Sequence, residues 1–370
     1  MEHAKIALAK RVPGLLALED GCYFPGISVG DEGLEAGEVV FNTALTGYQE
    51  LITDRSNAGQ IVAMTTPQIG NVGVNPEDDE SARKPLLQGM VMREFSSRAS
   101  NWRATEGLDD FFLRHQIVAL SEIDTRSLTQ HLRSHGVKRG VIATGDWNVS
   151  ELIQKAKEAP RLEEMDFVDQ LTVPEITEWA EPGIEVTNPI CSKKIVVFDF
   201  GVRRSMLQSL ASLGAKIVLV PARTSAVDVL KLQPDGVVLS SGPGDPARLG
   251  SIAAEMATLI GNVPIFGVCL GHQLLSMALG ASTNRLPFGH WGTQPVKNTQ
   301  TGKVAITLQD HSFCVNPATL PPAVEVSHVN VLDGTIEGLR HRDLPVFSVQ
   351  FHPGAGPHES ATLLEQFLRL

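Results

Sequence analysis

Residues 263–273 read VPIFGVCLGHQ: an apolar run, a glycine, a cysteine, a second glycine and the start of a helical pattern. This order describes a short buried strand ending near Val268 and a helix opening at Leu270, with Cys269 on the turn between them. Gly267 and Gly271 are needed because the two flanking backbones crowd so tight a turn. A thiol held there stands above the sheet at a helix N-terminus, where partial positive charge favours thiolate. The free N–H groups beside it, Leu270 first, are placed to receive an oxyanion. The ordinary alternative is a buried structural cysteine, and the paired glycines in a strand-to-helix context favour the nucleophile.

The same rhythm extends on both sides. KIVVFDFG (194–201), KIVLVPA (216–222), GVVLSSGPG (236–244) and LPVFSVQFH (344–352) are further short apolar runs. Helical patterns follow several of them, around RRSMLQSLASLG (203–214), around 224–232 and at QLLSMALG (273–280). Strands alternating with helices of this length predict an α/β fold, a mainly parallel sheet flanked by helices, over residues 193–370. Residues 1–150 read differently. Short β-rich runs, GEVVFNT near residue 40 and GQIVAMTTP (59–67), alternate with Gly-, Asp- and Pro-containing turns, predicting a β-rich N-terminal domain. One helix is expected in IDTRSLTQHLRSHG, with Asp124 as N-cap, Leu128 and Leu132 on its apolar face and Gly136 as its stop. The stretch 151–192, helical and then rich in Pro and Glu, is expected to be a linker.

Two further features carry chemistry. Ser240-Ser241-Gly242-Pro243-Gly244-Asp245-Pro246 follows a strand, at the sheet end where open α/β folds bind ligands, and lacks the pattern of a phosphate loop. Spacing alone leaves it as either a binding loop or a turn. A base for Cys269 is expected at the end of another strand. His352 terminates FSVQF and precedes Pro353, while His272 points from the elbow helix and is the alternative, more readily a packing residue. Composition narrows the rest. A net charge of −11 argues against nucleic-acid binding. No run approaches the roughly 18 apolar residues of a membrane span, and the N-terminus lacks the pattern of a signal peptide. Cys22, Cys191, Cys269 and Cys314 are far apart without CxxC spacing, against a zinc or disulfide framework, so the cytoplasm is the expected location.

GVCLGHQ, SGPGDP and the late QFHP resemble a class I glutamine amidotransferase domain. FNTALTGYQELITD (41–54), TTPQIGNVGVN (65–75) and SEIDTRSLTQHLRSHGVKRGVI (121–142) resemble the N-terminal domain of the carbamoyl-phosphate synthetase small subunit. DFGVRRSML, PDGVVLSSGPGDP and DGTIEGLRH extend the likeness over nearly the whole chain. The resemblance implies that Cys269 attacks the side-chain carboxamide of L-glutamine, with His352 as base, within hydrogen-bonding reach directly or after a small rotamer change. It implies that Ser56, Gly242, Gly244, Leu270, Gln273, Asp310, Ser312 and Phe313 contact the substrate. It also implies a partner, a large subunit that binds ATP and Mg and turns the ammonia into carbamoyl phosphate for arginine and pyrimidine synthesis. No cofactor or metal is expected in this chain.

The pattern departs from the family in four places. The family usually reads His-Pro-Glu after the last strand, its glutamate orienting the imidazole; here the run is His352-Pro353-Gly354-Ala355-Gly356-Pro357-His358, with Glu359 the nearest carboxylate in sequence. The usual Asn-His-Gly-Phe is Asp310-His311-Ser312-Phe313. The usual Gly-His-His-Gly-Gly-Asn-His-Pro is shortened to Gly289-His290-Trp291-Gly292-Thr293-Gln294-Pro295, and Arg55 replaces the proline before Ser56. Asp310 is expected to repel the α-carboxylate of glutamine. A weakened glutaminase is the expectation, and a non-hydrolysing docking subunit of an ammonia-dependent synthetase is the alternative.

Overall fold

The computed structural model describes residues 11–184, 186, 189, 190, 192–353 and 361–370. They form two compact units. The first comprises residues 1–49, 59–78 and 86–161; the second comprises 50–58, 79–85 and 162–370. Two short pieces of the N-terminal half thus belong to the second unit.

The first unit is a closed barrel of β1 (Pro13–Leu18), β2 (Tyr23–Ser28), β3 (Leu34–Asn42), β4 (Gln60–Met64), β6 (Gly89–Val91), β8 (Val118–Ser121) and β9 (Lys138–Thr144). β5 (Gln68–Ile69) and β7 (Glu94–Phe95) form a small separate ladder. The barrel is mixed: β3, β4, β6 and β8 pair in parallel, and the remaining pairs are antiparallel. Closure leaves no unpaired edge. Helices α2 (Leu108–His115), α3 (Thr125–His135) and α4 (Val149–Glu158) complete the unit. In α3 the Asp124 carboxylate accepts from Ser127 N–H at 3.0 Å and Gly136 ends the helix at φ 78°, while Leu128 and Leu132 are buried.

The second unit is built on a ten-stranded sheet. Its strands are β10 (Thr177–Trp179), β11 (Lys194–Asp199), β12 (Lys216–Pro221), β13 (Gly236–Leu239), β14 (Ile265–Val268), β15 (Thr283–Asn298), β16 (Val304–Val315), β17 (Val324–Asn330), β18 (Ile336–His341) and β19 (Val346–Val349). They lie in the order β10-β12-β11-β13-β14-β19-β18-β17-β15-β16. The five strands β12, β11, β13, β14 and β19 are parallel. This is the core expected from the strand–helix alternation. An antiparallel extension continues it from β18 through the long β15–β16 hairpin.

Side-chain alternation explains why the parallel core is covered on both faces. Val196, Phe198, Val237, Leu239 and Ile265 pack against α7 (Ala226–Lys231), α8 (Gly250–Leu259) and α9 (Leu270–Ala278). Their neighbours Ile195, Val197, Val238, Phe266 and Val268 pack against α6 (Arg204–Ser212) and α10 (Ala361–Arg369). Each such side chain contributes on the order of 1.5–3 kcal/mol by leaving water. The remaining α-helices among the described residues are α1 (Tyr48–Thr53) and, in the second unit, α5 (Val168–Leu171). Among the described residues no helix is long and apolar enough to cross a membrane.

Candidate active site

Cys269 caps α9 with φ 52° and ψ −107°, one of four non-glycine residues at positive φ among those described. Such a conformation costs about 1–3 kcal/mol and persists only where its surroundings impose it. Three contacts impose it here. Cys269 N–H donates to Val349 O at 3.0 Å, Gly271 N–H to Ser240 O at 3.0 Å, and Gln273 N–H to Cys269 O at 3.1 Å. A methyl group on Gly271 would meet Leu239 O at 2.1 Å, and one on Gly267 would meet Gly271 O at 2.7 Å. Both glycines are therefore fixed by space.

The thiol does not stand as the thiolate expected from the helix end. Burial, seconded by Asp54, pushes Cys269 up to about 12, outweighing Arg203 and the nearby Leu270 N–H. The neutral thiol donates to Asp310 O at 3.8 Å. His352 lies beyond the end of β19, the strand beside β14, and its N–H donates to Leu308 O at 3.0 Å. Its ring is buried, Nε2 has no hydrogen-bond partner, and burial with Arg203 holds the imidazole well below its ordinary pKa. Of the two contact forms expected, the direct one is not adopted: no hydrogen bond joins Sγ to the ring among the described residues. The resting pair is a neutral thiol and a neutral base. His272 is a packing residue, its Nδ1 2.8 Å from Ser348 Oγ and its pKa lowered by burial to about 3. Glu359 lies outside the described residues.

Asp310 is not a free carboxylate. Arg203, fully buried at the N-cap of α6, donates through one terminal nitrogen to Asp54 and to Asp310, the latter at 2.8 Å. The expected repulsion of a substrate carboxylate is thereby corrected in part, since a guanidinium already faces Asp310. Burial raises the Asp310 carboxyl to about 7, with Arg203 pulling down and Asp54 pushing up. Asp54, Asp310 and His352 each bring one polar atom to within 4.8 Å of the others. Arg203 and Asp54 are the members that sequence reasoning missed. DFGVRRSML and FNTALTGYQELITD contain them, but a shared ion pair 149 residues apart has no local signature.

The other expected residues gather around the elbow. Ser56 sits in the Arg55–Asn57 turn, its N–H donating to Asp54 Oδ1 at 2.9 Å, and this turn packs against β16. Arg55 is buried, 3.9 Å from Asp199. The Ser240–Pro246 loop follows β13, and a methyl on Gly242 would meet Phe200 O at 2.3 Å, while Gly244 has φ +99°. Gln273 Nε2 donates to Phe313 O at 2.8 Å and to Gln350 Oε1 at 3.1 Å. Asp310, Ser312 and Phe313 lie in the buried second half of β16. The same strand is braced by a polar network that the sequence did not disclose. His311 Nε2 and His290 Nδ1 lie 2.9 and 3.0 Å from Gln309 Oε1, and Gln309 Nε2 donates to Glu337 at 2.8 Å. Burial opposes a charge on His290, but Asp333 and Glu337 raise it to about 9.

Comparison with known proteins places both halves. Residues 16–142 match the family model described as carbamoyl-phosphate synthase small chain, CPSase domain, and residues 196–370 match glutamine amidotransferase class-I. A carbamoyl phosphate synthase small chain from a Synechococcus strain is 48% identical, covering 99% of this chain and 95% of the relative. The small chain of Escherichia coli K12 is 45% identical over 96% of each, and that of Aquifex aeolicus 43% identical over 97% and 99%.

Proposed function

The chain belongs to the carbamoyl-phosphate synthase small-chain family, and on that premise we propose how its own residues carry out the glutaminase half of the reaction. The small chain hydrolyses glutamine and delivers the ammonia to a large subunit. Cys269 is the nucleophile and His352 the base. The observation that carries this assignment is the strained elbow, Cys269 at positive φ at the head of α9, with His352 at the end of the adjacent strand.

Because thiol and imidazole both rest neutral, charge separates only during reaction. As Sγ bonds to the carboxamide carbon, its proton passes to His352. The C–N bond then breaks, the proton leaves with the amine as ammonia, and a glutamyl thioester remains. Water adds to the thioester carbon and gives its proton to His352; the C–S bond breaks, glutamate leaves and the thiol regains the proton. Leu270 N–H at the helix start supports the oxyanion in both halves. Ser56, Gly242, Gly244 and Gln273 line the glutamine site in this reading, with Asp310, Ser312 and Phe313 along its β16 side. The buried Oγ of Ser56, which has no partner, supports that placement.

ATP and Mg belong to the large subunit, and the product serves arginine and pyrimidine synthesis. Docking falls to the first unit, and the stretch 151–192 expected as a linker is instead divided, residues to 161 with α4 belonging to the first unit and residues from 162 with α5 and β10 to the second. Leu45 and Trp102, apolar side chains 84% and 92% exposed in the first unit, support a docking role. The free thiols Cys22, Cys269 and Cys314 support a reducing cytoplasmic setting. The test compares glutamine and ammonia as donors for carbamoyl phosphate formation by this chain with a large subunit. Glutamine-dependent synthesis that Cys269→Ser removes, with ammonia-dependent synthesis retained, is the expected result. Synthesis from ammonia alone identifies a docking subunit instead.

A further inference from the structure

We propose that Asp310 is the positioning residue of this active site: from β16 it presents to His352 the carboxylate that the chain lacks after His352-Pro353. The inference rests on the glutaminase reading above and adds to it a third member drawn from a different strand.

Four observations converge on Asp310. It is buried, and its side chain belongs to the group of Asp54, Asp310 and His352 whose polar atoms lie within 4.8 Å of one another. His352 Nε2 is buried and has no hydrogen-bond partner, so the ring has a nitrogen left to bond. The main-chain oxygen of Asp310 accepts from Cys269 Sγ at 3.8 Å, so one residue touches the nucleophile and lies beside the base. Asp54 takes Arg203 as Asp310 does and caps the Arg55–Asn57 turn through Oδ1, but among the described residues the hydrogen bond of Cys269 Sγ goes to Asp310, which makes Asp54 the poorer candidate.

Charge accounts for why this helps. With both carboxylates ionised, Asp54 and Asp310 with Arg203 between them carry one net negative charge, buried where Coulomb interactions are strong. An imidazolium formed on His352 neutralises that excess, so the two carboxylates together offset the opposing Arg203 and favour proton transfer from Cys269 to the ring. The spacing of the three groups also suits a metal ion, but the guanidinium already supplies the cation between the two carboxylates.

A bystander charge and a positioning residue give opposite signs in one experiment. Asp310 raises the Cys269 thiol by repulsion. If it does nothing more, Asp310→Asn makes Cys269 react faster with iodoacetamide. If it supports His352, the same variant reacts more slowly, because the imidazolium that accompanies the thiolate loses its counter-charge. The full chain is alkylated at pH 7.5 and Cys269 followed by peptide mass, alongside kcat and KM for glutamine measured with the large subunit. The expected result is slower alkylation and a kcat lowered about 10²-fold, with KM changed less than about twofold and a smaller effect from Asp54→Asn. Faster or unchanged alkylation, or a change confined to KM, overturns the proposal. Absence of glutamine hydrolysis in the unaltered complex defeats the glutaminase reading, and the alkylation rates still decide the role of Asp310. Should Asp310→Asn not fold, nitrogen NMR of His352 in the unaltered chain decides: a single tautomer with a strongly deshielded N–H is expected, and a tautomer mixture overturns it.

Discussion

Among the described residues two cysteine–histidine–aspartate arrangements occur, one in each unit. On the β1–β2 turn, Cys22 Sγ lies 3.7 Å from His131 Nδ1, and His131 Nε2 lies 2.7 Å from Asp20. By hydrogen bonds alone this is a better-formed relay than that of Cys269, whose thiol bonds a carbonyl. Yet Cys22 has ordinary backbone geometry on a hairpin, stands at no helix start and is partly exposed. Burial and Asp20 raise its thiol too. The difference teaches that side-chain bonds do not make a nucleophile. The backbone does, by aiming the sulfur and bringing N–H groups to the carbon it attacks.

The largest effect expected to separate the two is on turnover. Cys269→Ser lowers glutamine hydrolysis by at least about 10³-fold, and Cys22→Ser leaves it within about twofold; steady-state ammonia release measures both. Comparable losses would erase the distinction.

Labelling sharpens it next. A glutamine-derived electrophile is expected to modify Cys269 and spare Cys22, and a charged aromatic disulfide reagent to modify the more exposed Cys22 first. Peptide mapping in which both reagents choose the same cysteine would show that exposure, not the elbow, sets reactivity.

Glycine substitutions probe the backbones. Gly271→Ala drives a methyl to 2.1 Å from Leu239 O, so a loss of about 1–3 kcal/mol is expected together with loss of hydrolysis. Gly21→Ala meets open space and pays only for its φ of +101°, about 1–2 kcal/mol, with hydrolysis unchanged. Denaturant midpoints and turnover on the same preparations test the pair.

The smallest effect is on pH. Asp310, facing Arg203, Asp54, His352 and the Gly292 N–H, has its carboxyl raised to about 7. A carboxyl raised in the folded state is protonated more readily there, so its charge is lost as pH falls through about 7. Glutamine turnover is expected to drop by a few-fold between pH 8 and 6.5 while iodoacetamide labelling of Cys22 shows no limb tied to Asp310. A flat turnover profile across that range, with Cys269 still essential, would remove Asp310 from the reacting state.

Much of the fold was legible because its signals are local. VPIFGVCLGHQ required a strand, a turn and a helix within eleven residues, and IDTRSLTQHLRSHG carried both caps of α3. The continuous apolar run in KIVVFDFG announced a strand buried on both faces. By contrast, the β15–β16 hairpin was not legible. Its residues His290, Trp291 and Gly292 are buried by cross-strand partners such as Asp310 and His311 rather than by an apolar pattern of their own. Arg203 read only as the start of a helix. Only the fold brings it between Asp54 and Asp310.

The sequence by itself thus determined the strand-to-helix turn on which Cys269 stands, because sterics around Gly267 and Gly271 leave a single backbone path through it. It also determined the parallel core and the strand that leads to His352. The tertiary structure alone decided the protonation state and the company of Cys269. Burial, which depends on every element packed over the elbow, outweighs the helix terminus and holds Cys269 as a thiol. The carboxylates near His352 come from the turn after α1 and from β16, 256 residues apart in the chain, where only long-range packing could bring them together.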